Sequence, residues 1–168
     1  MPLGKIPVIP IGYMKVRVLS VGRVKQKFVL EGEREYLTRI GADWKVSMEE
    51  CGASSSSACS PQEVMKREAQ IIAGKIKADQ YTIALDETGE ELTSKQLAVA
   101  MEKLMTKGTR SVCFLIGGAF GLHESVRKQA DRVISLSRLT YPHQLVRLIL
   151  AEQLYRAYAR IKGAPYGK

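Results

Sequence analysis

Short β-branched runs alternate along the chain with segments of helical period, which predicts an α/β domain: a mainly parallel sheet with helices on both faces. Two further observations agree. The runs end at a glycine, an acidic cluster or a small polar stretch, as strands feeding crossovers do. A content of 45% hydrophobic and 26% charged residues in a chain of 168 is that of one globular core. At this length folding buries roughly two thirds of the surface the unfolded chain exposes.

Residues 1–13, "MPLGKIPVIPIGY", hold three prolines and follow neither period. They read as an extension before a single domain over 14–168, without the apolar core of a signal peptide or the Arg and Ser of an intact organelle transit peptide. Lys15–Val21 alternates and is rich in β-branched residues, so it is the first strand, closed by Gly22. Gln26–Arg39, with Phe28, Leu30, Tyr36 and Leu37, suits an amphipathic helix, and Trp44–Met48 is a weaker strand. "CGASSSSACSP", from Cys51 to Pro61, is expected to be a mobile loop or linker. Ser60-Pro61-Gln62-Glu63 then places a hydroxyl at the cap, proline in the first turn and glutamate where a capping box needs it, opening a helix to about Lys77.

Gln80–Asp86 is a strand ending in the acidic turn "DETGEE", and Ser94 is expected to cap a helix through about Met105. Ser111–Ile116 is a buried strand that runs directly into the glycines of "LIGGAFG", Leu115–Gly121. A short helix over Glu124–Ala130 and a short strand over Arg132–Leu136 follow. The last helix, His143–Ile161, is apolar on nearly every side through Leu145, Leu148, Ile149, Leu150, Leu154 and Tyr158. Such a helix must be buried all round or covered by a partner.

With 26 Lys and Arg against 17 Asp and Glu, the net charge of +9 favours a polyanionic partner such as nucleic acid. Much of the excess lies after Leu136, at Arg138, Arg147, Arg156, Arg160, Lys162 and Lys168 against the single acid Glu152, although Glu152 and Arg156 are spaced to pair across a helical turn. No apolar run approaches membrane-spanning length. Cys51, Cys59 and Cys113 form no CxxC and have no paired histidines, so neither a zinc site nor a redox motif is indicated, and a reducing compartment suits them.

In parallel sheets ligands bind beyond the carboxyl ends of strands, and three such ends are available: Leu85-Asp86, Ile116-Gly117 and Leu136-Ser137. The glycine loop lacks both G-x-G-x-x-G spacing and a Walker Gly-Lys-Ser/Thr, so a phosphate cradle is unsupported. Its glycines instead permit close backbone approach to an uncharged sugar or base, or simply a tight strand-to-helix turn. There is no G-x-S-x-G elbow, and the only histidines are His123 and His143. His123 belongs to the start of a helix. His143, behind Pro142, reads as a capping or packing residue before it reads as a catalytic base. No catalytic residue is assigned.

"FLIGGAFGLH", "SLSRLTYPHQLVRLILAEQLYRAY" and the terminal "GAPYGK", in this order and at these separations, closely resemble the small bacterial ribosomal large-subunit pseudouridine methyltransferases of the SPOUT superfamily. The opening "MKVRVLSVGRVK" from Met14 is similar to that family's start, so the resemblance spans Met14 to Lys168. It implies a C-terminal trefoil knot, a homodimer packed through the last helix, and S-adenosylmethionine bound bent within the knot, with no metal. It places the cofactor against Leu85, Gly117 and the knot loop Leu136, Ser137, Arg138, Leu139, Thr140 and Tyr141, and the substrate near His143, Tyr166 and Lys168. The implied reaction is methyl transfer to N3 of a pseudouridine in helix 69 of large-subunit rRNA on the assembled ribosome, in a bacterial cytoplasm. The basic C-terminal residues would meet rRNA phosphates. One position departs from the pattern: the family usually ends Tyr-His-Lys or Tyr-His-Arg, and here Gly167 replaces the histidine between Tyr166 and Lys168. That departure favours the alternative of a non-catalytic ribosome-binding or assembly factor with the same fold.

Overall fold

The structure, a computed structural model, describes residues 13–54 and 57–166. Residues 1–12 of the expected extension, and the tail positions Gly167 and Lys168, lie outside the described residues. In chain order the elements are β1 (Met14–Val21), α1 (Lys27–Arg39), β2 (Trp44–Cys51), α2 (Pro61–Lys75) and β3 (Tyr81–Glu91). They continue as α3 (Ser94–Thr106), β4 (Ser111–Ile116), α4 (Glu124–Gln129), β5 (Arg132–Ser135) and α5 (His143–Ile161).

The five strands form one parallel sheet in the order β2-β1-β4-β3-β5. Alternation along the strands divides two cores. Val112, Phe114 and Ile116 of β4 face Leu97 and Met101 of α3 and Leu150 and Leu154 of α5. Cys113 and Leu115 face Ala69 and Ile72 of α2 and Val126 of α4. The chain leaves β1 in one direction to reach β2 and leaves β4 in the other to reach β5. Neighbouring β1 and β4 therefore form the switch point, where a crevice opens at the carboxyl edge. From the edge strand β5 the chain returns to lay α5 between α1 and α3. That placement buries Leu150, Ala151, Leu154 and Ala157 within a single chain.

Several local expectations shift. β2 continues past Met48 to Cys51 because it pairs with β1 along its whole length, as far as Val21 opposite Cys51. The polar stretch thus starts at Gly52, and its residues 55–56 are outside the described range. The Ser60 capping box forms as expected: the Glu63 N–H donates to Ser60 Oγ at 3.3 Å and the Ser60 N–H donates to Glu63 Oε2 at 2.8 Å. The cap of α3, however, is Thr93 rather than Ser94, closed by Gln96. A box needs Glu or Gln three residues after the cap; Ser94 would meet Leu97 there, whereas Thr93 meets Gln96. Ser94 Oγ instead donates to Gln153 Oε1 at 2.6 Å, tying α3 to α5.

The acidic turn after Asp86 is not a strand end. β3 bulges over residues 86–89 and resumes, so that Leu85 and Glu90 both pair with Ile134 of β5. Gly89 makes this possible, since a Cβ there would lie 2.6 to 2.8 Å from Ile134 backbone atoms. Asp86 Oδ1 accepts the Thr88 N–H at 3.0 Å and stands 3.2 Å from Arg127 Nη1. Burial alone would raise the Asp86 carboxyl; these partners outweigh it and hold it below the ordinary range.

Candidate cofactor site at the carboxyl edge of the sheet

Strand register brings the three expected strand ends together. Leu85 pairs with Ile116 on one side and with Ile134 on the other, so Gly117 and Leu136 each follow just beyond the same line. Leu85 and Gly117 are buried, and Leu136 is half-buried. After β5 the chain turns sharply: Ser135 Oγ donates to the Ser137 carbonyl at 2.9 Å, and the Leu139 N–H donates to Ser137 Oγ at 2.9 Å. Arg138, Leu139 and Thr140 are exposed, whereas Ser137 and Tyr141 are half-buried. Beside this loop lies a cavity of about 110 Å³ lined by Leu92, Thr93, Leu97, Leu136, Ile149 and Gln153, which contains only Leu136 of the expected cofactor contacts. A larger cavity, about 150 Å³, lies further down the same face between Tyr81, Leu104 and Arg132.

The glycine loop is tightly closed on itself. Gly118 and Gly121 form an isolated bridge, Gly121 has φ +83°, and a Cβ on Gly117 would meet the Gly121 carbonyl oxygen at 2.5 Å and the Leu122 nitrogen at 2.7 Å. The close approach for which Gly117 was singled out is thus already demanded by the two limbs of the loop. Phe120, at the tip, is 53% exposed.

The expected substrate residues do not converge in one chain. His143 is half-buried at the start of α5, its Nε2 facing the β1–α1 turn 3.8 Å from where a Cβ on Gly22 would stand. Tyr166 lies against the flank of α5: its ring centroid is 4.4 Å from that of Tyr155, Arg156 stacks over it at 4.9 Å, and its hydroxyl donates to Glu152 Oε1 at 3.1 Å. Burial, then the bond to Glu152, pushes its phenol up to about 12. At 1.5 Å per residue Glu152 lies about 13 Å along the helix from His143. Lys168 is outside the described residues. His123 caps α4 by accepting the Ser125 N–H at 3.2 Å, in keeping with its expected place.

Among the described basic C-terminal residues, Arg147 is withdrawn from the expected phosphate contact. Arg147 is buried, with Nε and Nη2 bonded to the two carboxylate oxygens of Glu33 at 2.8 and 3.0 Å. Arg156 pairs with Glu152, and Lys162 pairs with Asp43. Arg138 and Arg160 remain exposed, Arg138 standing 3.6 Å from Glu91. A sequence count of charges cannot tell a clamp from a patch.

Sequence reasoning also missed Glu68 on α2, whose buried carboxyl lies directly beneath Gly118. Burial pushes it up, partly offset by the Ser54 N–H. An available signal was an acid interrupting the otherwise buried stripe Val64, Ala69, Ile72.

Residues 14–167 match the sequence profile of the family described as "Predicted SPOUT methyltransferase". The chain belongs to the SPOUT methyltransferase family. Proteins named "Ribosomal RNA large subunit methyltransferase H" from Lysinibacillus sphaericus and Finegoldia magna are each 40% identical to it over 159 residues, spanning 92% of this chain and 100% of theirs. The protein of that name from Enterococcus faecalis is 37% identical over the same span. This SPOUT chain is accordingly a methyltransferase whose parallel sheet and flanking helices agree with the expected architecture. Among the described residues no helix is long and apolar enough to cross a membrane. Nor do any three His, Cys, Asp or Glu among them stand where they could hold a metal ion.

Proposed function

We propose that the protein transfers a methyl group from S-adenosylmethionine to N3 of a pseudouridine in helix 69 of large-subunit rRNA, on the assembled ribosome, in the bacterial cytoplasm. The observation that carries this reading is the likeness, over essentially the whole domain, to proteins named as large-subunit rRNA methyltransferases. The carboxyl edge fits the donor in kind: an apolar wall at Leu85, Leu97 and Leu136, bordered by the loop from Leu136 to Tyr141, and a glycine turn without phosphate-loop spacing.

The bound cofactor supplies an already activated methyl group. What remains for the protein is alignment, exclusion of water and loss of the N3 proton. Leu85 and Leu136 would pack against the adenosyl group, with Gly117 shaping the loop beside it, and Ser137, Arg138, Leu139, Thr140 and Tyr141 would enclose it through their main chain. The bond from Ser135 Oγ to the Ser137 carbonyl preorganises that turn. His143, one helical turn before the buried Arg147, would contact substrate, whereas Tyr166, about 13 Å further along α5, and Lys168 would reach the same substrate only from the second copy of the chain. The trefoil knot, with the chain after β5 threaded through a loop, belongs to this proposal, carried by the likeness to the SPOUT family. So does a homodimer through α5, whose flank at Leu145, Ile149 and Tyr155 is only half-buried in one chain.

Gly167 supports the second reading, a ribosome-binding factor that has lost methyl transfer. Calorimetric titration with S-adenosylmethionine and a methylation assay on ribosomes lacking the modification separate the two. Saturable binding and turnover are expected, with Gly167→His no slower than the native protein. Absence of both binding and turnover would refute the enzyme reading.

A further inference from the structure

The sheet-facing side of α2 buries Val64, Ala69 and Ile72, and Glu68 interrupts that stripe while only 4% exposed. Its Oε1 accepts the Ser54 N–H at 3.3 Å; its Oε2 is buried with no hydrogen-bond partner among the described residues. Both oxygens press on the glycine loop, since a Cβ on Gly118 would lie 3.0 Å from Oε2, 3.1 Å from Oε1 and 3.1 Å from Val21 Cγ1. Val21 ends β1 and Gly118 follows β4, so the acid stands beneath the carboxyl edge at the switch point of the sheet. Leucine would continue the stripe and bury more favourably, and a buried carboxyl with a free acceptor opposes folding unless something pairs with it.

We propose that Glu68 anchors the ligand of this edge, Oε2 accepting a hydrogen bond from an N–H or ammonium donor that enters between the glycine loop and the end of β1. This rests on the reading of the protein as an S-adenosylmethionine-dependent rRNA methyltransferase. The carboxylate excludes a phosphate from the position by repulsion. Two groups of that reaction carry the required donor: the α-ammonium of the cofactor's methionyl part and the imide N–H of the target base. Glycine at 118 lets the carboxyl approach the loop from below, where any side chain would displace it.

The test uses Glu68→Gln, which keeps an acceptor for the Ser54 N–H but turns an amide toward the donor, and Glu68→Asp, which keeps the charge but withdraws it by a methylene. Melting curves establish that each variant is folded. Titrations with S-adenosylmethionine and S-adenosylhomocysteine are compared with single-turnover methylation of unmodified ribosomes at saturating cofactor. If the cofactor's ammonium is the donor, both variants weaken binding of both compounds tenfold or more. If the base is the donor, cofactor affinity is unchanged and the methylation rate falls tenfold or more. Folded variants within twofold of native in both measurements overturn the anchor while leaving the methyltransferase reading intact. A native protein that binds no cofactor overturns both.

Discussion

Replacing Arg147 with methionine should cost far more stability than replacing an exposed arginine. Arg147 Nε and Nη2 occupy both oxygens of Glu33, while Nη1 reaches Ser20 Oγ at 3.1 Å and Glu50 Oε1 at 3.2 Å. The Arg147 and Glu33 side chains are 4% and 5% exposed, so solvent screens neither. Methionine keeps the apolar stem but leaves Glu33 a buried carboxylate with no partner among the described residues. Breaking a buried pair from one side costs about 3–5 kcal/mol. Glu50 loses less, because it is 35% exposed and keeps the Val24 N–H at 2.9 Å. With a urea dependence on the order of 2 kcal/mol per molar, the unfolding midpoint should fall by about 1.5–2.5 M. The double variant Arg147→Met/Glu33→Leu removes both charges and should recover most of that loss. Urea unfolding followed by circular dichroism, at one protein concentration, measures both of these variants and the single Glu33→Leu. A double variant whose loss equals the sum of the single losses would refute the coupling.

Gly117→Val should lower the melting temperature as well as abolish cofactor binding, because the new side chain strikes Gly121 and Leu122; a variant with native stability would show that the loop opens without cost. Thr93→Ala should cost about 1 kcal/mol through the lost cap of α3. Ser94→Ala should lose only the exposed bond to Gln153, so equal losses in thermal unfolding would put the cap at the wrong residue. Burial raises the Glu68 carboxyl above its unfolded value, so the stability it contributes is full below about pH 4.3 and is lost as pH rises through the folded value. Glu68→Gln should therefore melt above the native protein at neutral pH, with the gap closing in acid. A gap independent of pH would contradict that sign.

What was legible in the sequence is what depends on neighbours along the chain. The Ser60 box, the bounds of α5 and the strand ending at Ile116 follow from spacings of a few residues. The bulge of β3 depends on Gly89 meeting Ile134, a contact that exists only once β5 has been laid beside β3. Arg147, and Glu68 apart from its break in an apolar stripe, were hidden for one shared reason. A charge in a helix is usually solvated, and only the tertiary placement of α1 against α5, and of α2 beneath the glycine loop, buries these two.

The locally costly features gather at one edge. Gly117 and Gly118 admit approaches no side chain could tolerate, Oε2 of Glu68 is buried without a partner among the described residues, and Leu139 is 70% exposed. Close backbone approach and unsatisfied polarity persist where surrounding structure over-determines them. That surrounding structure is identifiable at both ends of the loop over residues 136–142. Upstream, Ser135 bonds the Ser137 carbonyl as the loop leaves β5. Downstream, Arg147 fixes the first turns of α5 to β1, β2 and α1 at once, through Ser20, Glu50 and Glu33. The buried ion pair thus does more than stabilise the fold. By holding the start of α5 it sets where the loop must end, so the Arg147→Met variant, even where still folded, should bind S-adenosylmethionine more weakly than native protein. The charge-free Arg147→Met/Glu33→Leu variant should recover stability without recovering that affinity, because methionine and leucine pack without fixing the direction of the helix.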